Sequence, residues 1–216
     1  MDYDADGRTD IVTGSYTGQF YLFRRQPDGG FAQRDLVVDE DGTTLMMPFE
    51  TAYSVTPELV DMDADGDLDL VVGSEDGEVT WYRHTGKNDA PRYAKGELLV
   101  AAGRTGYDPE GSTPKHHGMR VKVHVTDWNE DGKVDLLVGD VTWQETKLTP
   151  LTESEAKEKQ ALNKELSDLY DRRTKAQDAA QKEALAKAIA DVRAKLRPLQ
   201  RTKLHTHGWV WLYLRR

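Results

Sequence analysis

Asp61-Met62-Asp63-Ala64-Asp65-Gly66-Asp67-Leu68-Asp69-Leu70-Val71-Val72-Gly73 decides how this chain is read, because it occurs three times. Asp2-Tyr3-Asp4-Ala5-Asp6-Gly7-Arg8-Thr9-Asp10-Ile11-Val12-Thr13-Gly14 starts 59 residues earlier. Asp127-Trp128-Asn129-Glu130-Asp131-Gly132-Lys133-Val134-Asp135-Leu136-Leu137-Val138-Gly139 starts 66 residues later. The likeness continues beyond the last glycine. Gly18-Gln19-Phe20-Tyr21-Leu22-Phe23-Arg24 parallels Gly77-Glu78-Val79-Thr80-Trp81-Tyr82-Arg83 and, much further on, Gly208-Trp209-Val210-Trp211-Leu212-Tyr213-Leu214. Internal repetition of this kind marks an architecture in which each copy is one supersecondary unit.

The spacing carries a chemistry. Oxygen ligands at the first, third and fifth places of a tight loop converge on one point. A glycine at the sixth permits the sharp turn, and a carbonyl at the seventh with a carboxylate at the ninth closes the shell. Hard oxygen donors in this number favour Ca²⁺ over softer metals. An EF-hand needs an acid at the twelfth place, where Thr13, Val72 and Val138 stand, and it continues into a helix. These loops run instead into short β-branched and leucine-rich stretches that read as strands. A metal-free Asp/Gly turn is the alternative, but it needs only one or two of the carboxylates, and the rest repel one another without a cation.

These motifs resemble the FG-GAP/VCBS-type repeats of integrin-α-like β-propellers, over nearly all of residues 1–142 and the stretch 207–216. The resemblance implies an all-β fold, a partial β-propeller of roughly two and a half four-stranded blades, where whole propellers have about 4–8. It implies a Ca²⁺ site in each loop joining first and second strands. The ligands carried over are Asp2, Asp4, Asp6 and Asp10, with the Arg8 carbonyl; Asp61, Asp63, Asp65 and Asp69, with the Asp67 carbonyl; and Asp127, Asn129, Asp131 and Asp135, with the Lys133 carbonyl. Asn129 removes one negative charge, so the third site is expected to bind more weakly. The first strand of the first blade and the outer strand of the last are missing from the pattern. The remaining blades are therefore expected from the same longer chain or from another chain.

The second blade reads as strands at about Ser54–Val60, Leu68–Gly73, Glu78–Arg83 and Tyr93–Val100, and the third begins with Arg120–Thr126 and Val134–Gly139. The third copy then carries residues 143–206 where the others have three residues. From Leu151 to Lys203 there is no glycine and only Pro198, and Ala, Glu, Lys and Leu dominate, which favours helix. Thr152 with Glu155 forms a capping-box signature. Leu162, Leu166 and Leu169, and then Leu185, Ile189, Val192 and Leu196, form two apolar stripes at heptad spacing. A chain that must leave and return to one hairpin needs two antiparallel helices, each about 30 Å long, with a break near Lys175–Ala180 and Asp178 as second cap. The domains expected are 1–142, an inserted helical hairpin at 143–206, and a returning strand at 207–216.

Composition narrows the function. The chain has 216 residues, no cysteine and a net charge of −9, so disulfide scaffolds, cysteine chemistry and general nucleic-acid binding are excluded. No apolar run is long enough for a membrane-spanning helix, and the acidic start carries no secretory signal. The segment Leu151–Lys203 has thirteen basic and nine acidic residues, leaving the remainder at −13. The insertion and the long linkers, Asp39–Tyr53 and Ala102–Met119, fall on the blade face opposite the Asp loops. His116, His117, Arg201, Lys203, His205 and His207 are candidates for a ligand groove on that face. No serine-hydrolase elbow, zincin motif or phosphate loop is present. The leading expectation is a non-catalytic, calcium-binding module for extracellular or cell-surface recognition of a protein or polysaccharide. The alternative is the propeller part of a secreted polysaccharide lyase or hydrolase.

Overall fold

Each copy of the repeat builds one antiparallel sheet in the computed structural model, which describes residues 1–47, 54–103, 107–109 and 111–215. The first sheet is β1 (Ile11–Gly14), β2 (Phe20–Phe23) and β3 (Asp35–Leu36), in that order. The second is β4 (Thr56–Val60), β5 (Asp69–Gly73), β6 (Val79–Tyr82) and β7 (Glu97–Val100), again in chain order. The third contains β8 (Tyr107–Pro109), β9 (Met119–Thr126), β10 (Asp135–Lys147) and β11 (Thr202–Tyr213), with β10 central between β11 and the pair β8 and β9. Parts of both long linkers, residues 48–53, 104–106 and 110, lie outside the described residues.

The strands follow the expected ones with instructive differences. In the second sheet β7 begins at Glu97 rather than Tyr93; Tyr93 makes isolated bridges with His84 and Asp39 instead. In the third sheet the linker supplies the short strand β8, and β10 continues to Lys147, well past Gly139. The central strand β5 is buried along its whole length and is accordingly continuous Leu-Val-Val. The strand β9 alternates, with Val121 and Val125 buried and Arg120, Lys122 and His124 exposed, the period of a half-covered strand.

Neighbouring sheets meet in the same way twice. The Ser15 carbonyl accepts the Val55 N–H at 3.3 Å, and the Ser74 carbonyl accepts the Val121 N–H at 3.0 Å. Gly14 and Gly73 make this approach possible: a Cβ on them would stand 1.9 Å from the Val55 carbonyl oxygen and 2.6 Å from that of Val121. Tyr3, Phe20 and Leu22 of the first copy pack against Leu70, Val72 and Tyr82 of the second. Met62, Val71, Val79 and Trp81 of the second copy pack in turn against Val121, Leu136 and Val138 of the third. The corresponding positions in the third copy are Trp128, Leu137, Val210 and Leu212. There Trp128 is 58 % exposed, Val210 73 % and Leu212 41 %, and Gly139 has no backbone pressed on it closer than 3.8 Å. The reverse face of the first sheet is open as well, with Ile11 45 % exposed where Leu70 and Leu136 are buried.

The turn from second to third strand is closed by a side chain. Ser15 and Ser74 accept the N–H of Gln19 and Glu78 on Oγ at 2.9 and 3.0 Å. Asp140 does the same in the third copy across the inserted segment, accepting the Trp209 N–H on Oδ1 at 3.0 Å. Its other oxygen takes the Trp211 indole N–H at 2.9 Å and the Gly118 N–H. Trp209 Nε1 adds a bond to Thr142 Oγ1 at 3.1 Å.

The chain divides into two compact units, Met1–Trp143 with Thr206–Arg216, and Gln144–His205. Within the second, α1 (Glu153–Lys175) and α2 (Ala179–Leu196) are followed by a 3-10 turn at Arg197–Leu199. Thr152 and Glu155 form a full capping box, and Asp178 caps α2 by accepting the Gln181 N–H at 2.7 Å. The Thr152 N–H and hydroxyl hold the Glu155 carboxyl below its usual range. Leu162, Leu169, Leu185, Ile189, Val192 and Leu196 fill the seam, with Leu166 half-buried beside them. Each such side chain removed from water contributes about 2 kcal/mol. The seam also takes in Leu199 and Tyr170, two residues that the heptad pattern leaves unassigned.

Two outcomes are expected. Gly73→Ala should destabilise the first unit by about 1–3 kcal/mol, whereas Gly139→Ala should stay within about 0.5 kcal/mol, both read as urea midpoints. Replacing residues 149–200, beyond the Leu148 N–H to Arg201 carbonyl bond of 2.8 Å, by a short glycine-containing turn should leave the β circular-dichroism signal intact while the helical signal disappears.

Candidate metal centres

The three Asp loops share one hydrogen-bond plan. The carboxylate at the first place accepts two backbone N–H groups: Asp2 from Asp6 and Gly7, Asp61 from Asp65 and Gly66, and Asp127 from Asp131 and Gly132, at 2.9–3.1 Å. The carboxylate at the fifth accepts the N–H of the seventh: Asp6 from Arg8, Asp65 from Asp67 and Asp131 from Lys133, at 2.9–3.0 Å. These bonds hold the fourth residue in the left-handed region, at φ 56° for Ala5, 63° for Ala64 and 58° for Glu130. The sixth residue lies there too, at φ 85°, 95° and 84° for Gly7, Gly66 and Gly132. A Cβ on these glycines would meet nothing within 4 Å, so backbone conformation rather than crowding requires them.

The ninth residue does something the spacing alone does not reveal. Asp10, Asp69 and Asp135 are buried, and each spans the loop and the end of the third strand. Asp69 accepts the Met62 N–H at 3.2 Å and the His84 N–H at 2.7 Å. Asp10 takes Tyr3 and Arg25 at 3.0 and 2.8 Å, and Asp135 takes Trp128 and Arg215 at 3.0 and 2.8 Å. Burial pushes the Asp69 carboxyl up, and the His84 and Met62 N–H groups pull against it.

The third place separates the copies. Asp4 and Asp63 each bury Oδ1 with no hydrogen-bond partner. The other oxygen meets an arginine from the end of the third strand: Arg24 Nε lies 2.9 Å from Asp4, and Arg83 pairs with Asp63. In the third copy Asn129 turns its amide to Asp131 Oδ2 at 3.1 Å, and Leu214 stands where the arginines do. The Lys133 N–H and this amide draw the Asp131 carboxyl below its usual range. Oxygens of Asp2, Asp4 and Asp10 lie within 4.8 Å of one another, as do those of Asp61, Asp63 and Asp65. Among the described residues the third loop offers no such trio. Asp6 stands outside the first trio, paired with Arg8.

The groove candidates are distributed over both units. His117 is buried, with Nε2 3.0 Å from the Gly77 carbonyl and Nδ1 3.1 Å from the Tyr213 hydroxyl, so both ring nitrogens are used inside the fold. His116 and His207 are exposed in the first unit. Arg201, Lys203 and His205 belong to the second, where Arg201 pairs with Glu155 at 2.8 Å. A separate cleft of about 710 Å³ in the first unit escapes the motif reading; Tyr16, Glu75, Arg120, Lys122, Asp140 and Trp209 line it. It lies at the ends of β1 and β5 away from the Asp loops. The signal for it was the alternation of Arg120 and Lys122 with Val121 on β9.

Comparison with known families gives one match, a family of FG-GAP-like repeats, over residues 61–138. The matched segment runs from the second Asp loop into β10. No curated protein and no solved structure matches the chain.

The clamp at the ninth place has a direct test. Asp69→Asn keeps one acceptor and turns an amide N–H toward a backbone N–H, so it should cost about 2–3 kcal/mol in chelator. Asp65→Asn, on the exposed rim, should stay within about 1 kcal/mol. Chemical denaturation of the two variants compares them.

Proposed function

Since this is an FG-GAP-type repeat protein, we propose that its three sheets are consecutive blades of a β-propeller, that Ca²⁺ holds its Asp loops, and that it serves as a non-catalytic recognition module outside the cell. The observation that carries the calcium reading is the buried, partnerless Oδ1 at the same place in two copies, Asp4 and Asp63. A buried carboxylate oxygen without a donor is costly, and a cation among the converging oxygens of Asp2, Asp4 and Asp10, or of Asp61, Asp63 and Asp65, would relieve it. The donors are all oxygen, which suits a hard ion of flexible coordination. Asp2, Asp4, Asp6 and Asp10, with the Arg8 carbonyl, would hold the first ion. Asp61, Asp63, Asp65 and Asp69, with the Asp67 carbonyl, would hold the second. Asp127, Asn129, Asp131 and Asp135, with the Lys133 carbonyl, would hold the third more weakly.

The propeller reading is supported by the repeated sheet contact and by the two open faces. Trp128, Val210 and Leu212 present the surface that Met62, Val79 and Trp81 bury, and Ile11 presents the reverse one. Further blades, from the same longer chain or another, would cover both. Extracellular calcium modules work with dissociation constants of about 0.1–1 mM, which is the reason for placing the protein at the cell surface or beyond it.

The cleft away from the loops is the place we assign to a polysaccharide ligand, with exposed Tyr16 and half-buried Trp209 in its lining and Lys122 as the cation there not paired to an acid among the described residues; an acidic polymer is the one tested. The lyase or hydrolase alternative would need a free acid or base there. Glu75 is held by Arg120 at 2.7 Å, and Asp140 is saturated by donors, which favours binding over catalysis.

Titration calorimetry on chelator-treated protein should show three calcium ions, two alike and one weaker. Asp63→Asn should weaken one of the stronger events toward the affinity of the third site, which carries Asn129 at that place, and calcium should raise the melting temperature. Calcium-loaded protein should be retained by an immobilised uronic-acid polymer, and the double change Arg120→Ala with Lys122→Ala should release it. Absence of calcium uptake would remove the first half of the proposal, and retention unchanged in the double variant the second.

A further inference from the structure

The second copy departs from the other two at a pair of adjacent places. The loop's seventh residue and the second residue after the third strand are Arg8 and Arg25 in the first copy, and Lys133 and Arg215 in the third. The two places lie side by side, since Arg8 Nε donates to the Arg25 carbonyl at 2.9 Å. In the second copy they are Asp67 and His84. Two cations are thus replaced by two groups with lone pairs.

The geometry of this pair is that of a donor set. The His84 side chain is only 2 % exposed, and its Nδ1 lies 3.3 Å from Asp67 Oδ2. That nitrogen is buried and has no hydrogen-bond partner, so the approach to Asp67 is close enough for an ion pair but not aligned for a hydrogen bond. The ring is fixed before anything binds. The His84 backbone N–H is tied to Asp69 at 2.7 Å, and the imidazole packs edge-on to Tyr93 at 5.8 Å. His84 and Asp67 line a cavity of about 190 Å³ together with Asp2 and Asn88. That is room for an ion with several waters, whose share is about 30 Å³ each.

An imidazole nitrogen beside a carboxylate oxygen suits borderline divalent ions rather than calcium. We propose that His84 Nδ1 and the Asp67 carboxylate form a transition-metal site, Zn²⁺ foremost, present in the second copy only and completed by water and the Asn88 side-chain oxygen. The site is independent of the calcium reading, which uses the backbone carbonyl of Asp67 and not its carboxylate. It also gives the partnerless His84 nitrogen a role that a cation of either neighbouring type, Arg25 or Arg215, does not need.

The test is a titration of the full chain with ZnCl₂ in about 1 mM calcium, followed by calorimetry and by the visible spectrum after Co²⁺ substitution. His84→Arg restores the residue type of the other two copies and should fold; Asp67→Asn is the second variant, at a half-exposed side chain. One Zn²⁺ should bind to the unaltered protein, and each variant should weaken it by roughly tenfold or more, with calcium uptake of the His84→Arg protein unchanged. Zinc lost in the variants supports the site whether or not calcium binds. Absence of zinc uptake, or uptake equal in both variants and so attributable to exposed His116, His124 or His207, overturns it.

Discussion

A single buried carboxylate in each copy, Asp10, Asp69 or Asp135, fixes the geometry on which the remainder depends. It accepts the N–H of the loop's second residue with one oxygen and the N–H just beyond the third strand with the other. Loop, second strand and third strand are thereby tied at one point. The second loop residue follows its N–H inward, which is how Tyr3 and Met62 come to lie in the cores between sheets. A carboxylate in such surroundings is costly unless it is fully hydrogen-bonded. Two backbone donors, themselves removed from water, satisfy that condition and their own at once.

The repeat, the strand order of the second sheet, the two helices with their caps and the acid loops were legible because each rests on local spacing. The capping box at Thr152 and Glu155 needs only four residues to be recognised. The clamp is not legible in this sense: spacing alone marks the ninth Asp as a candidate metal ligand, and its backbone donors lie 7 and 15 residues away along the chain. The strand β8 escaped because three residues of linker carry no periodicity. The tie made by buried His117 escaped too, because its partners, Gly77 and Tyr213, are 40 and 96 residues distant. Alignment of the copies held a signal that single-copy reading lacks: Asp140 falls where Ser15 and Ser74 stand.

The copies are also unequal in charge. Where the third place is Asp, an arginine at the end of the third strand meets it; where it is Asn129, the same place holds Leu214. The arginine offsets one carboxylate in a crowded loop and forms a charge-assisted bond. Two loops are therefore richer in acid yet internally compensated, and the third is leaner and free of that cation. Under the calcium binding proposed above, the three loops would fill at different calcium levels.

Asp140 has a further consequence. The bond from its carboxylate to the Trp209 N–H closes a strand pair whose intervening chain is a whole helical unit. Closing a flexible loop of that size in place of a three-residue turn costs about 3 kcal/mol by chain statistics. The inserted unit lessens this by joining its own ends, through Leu148 and Arg201, at 2.8 Å. The sheet thus receives a segment whose two ends already stand at strand spacing. The two strands run on as far as Lys147 and Thr202, so the appendage meets the repeat at the Leu148 and Arg201 pair, two chain ends already held at strand spacing.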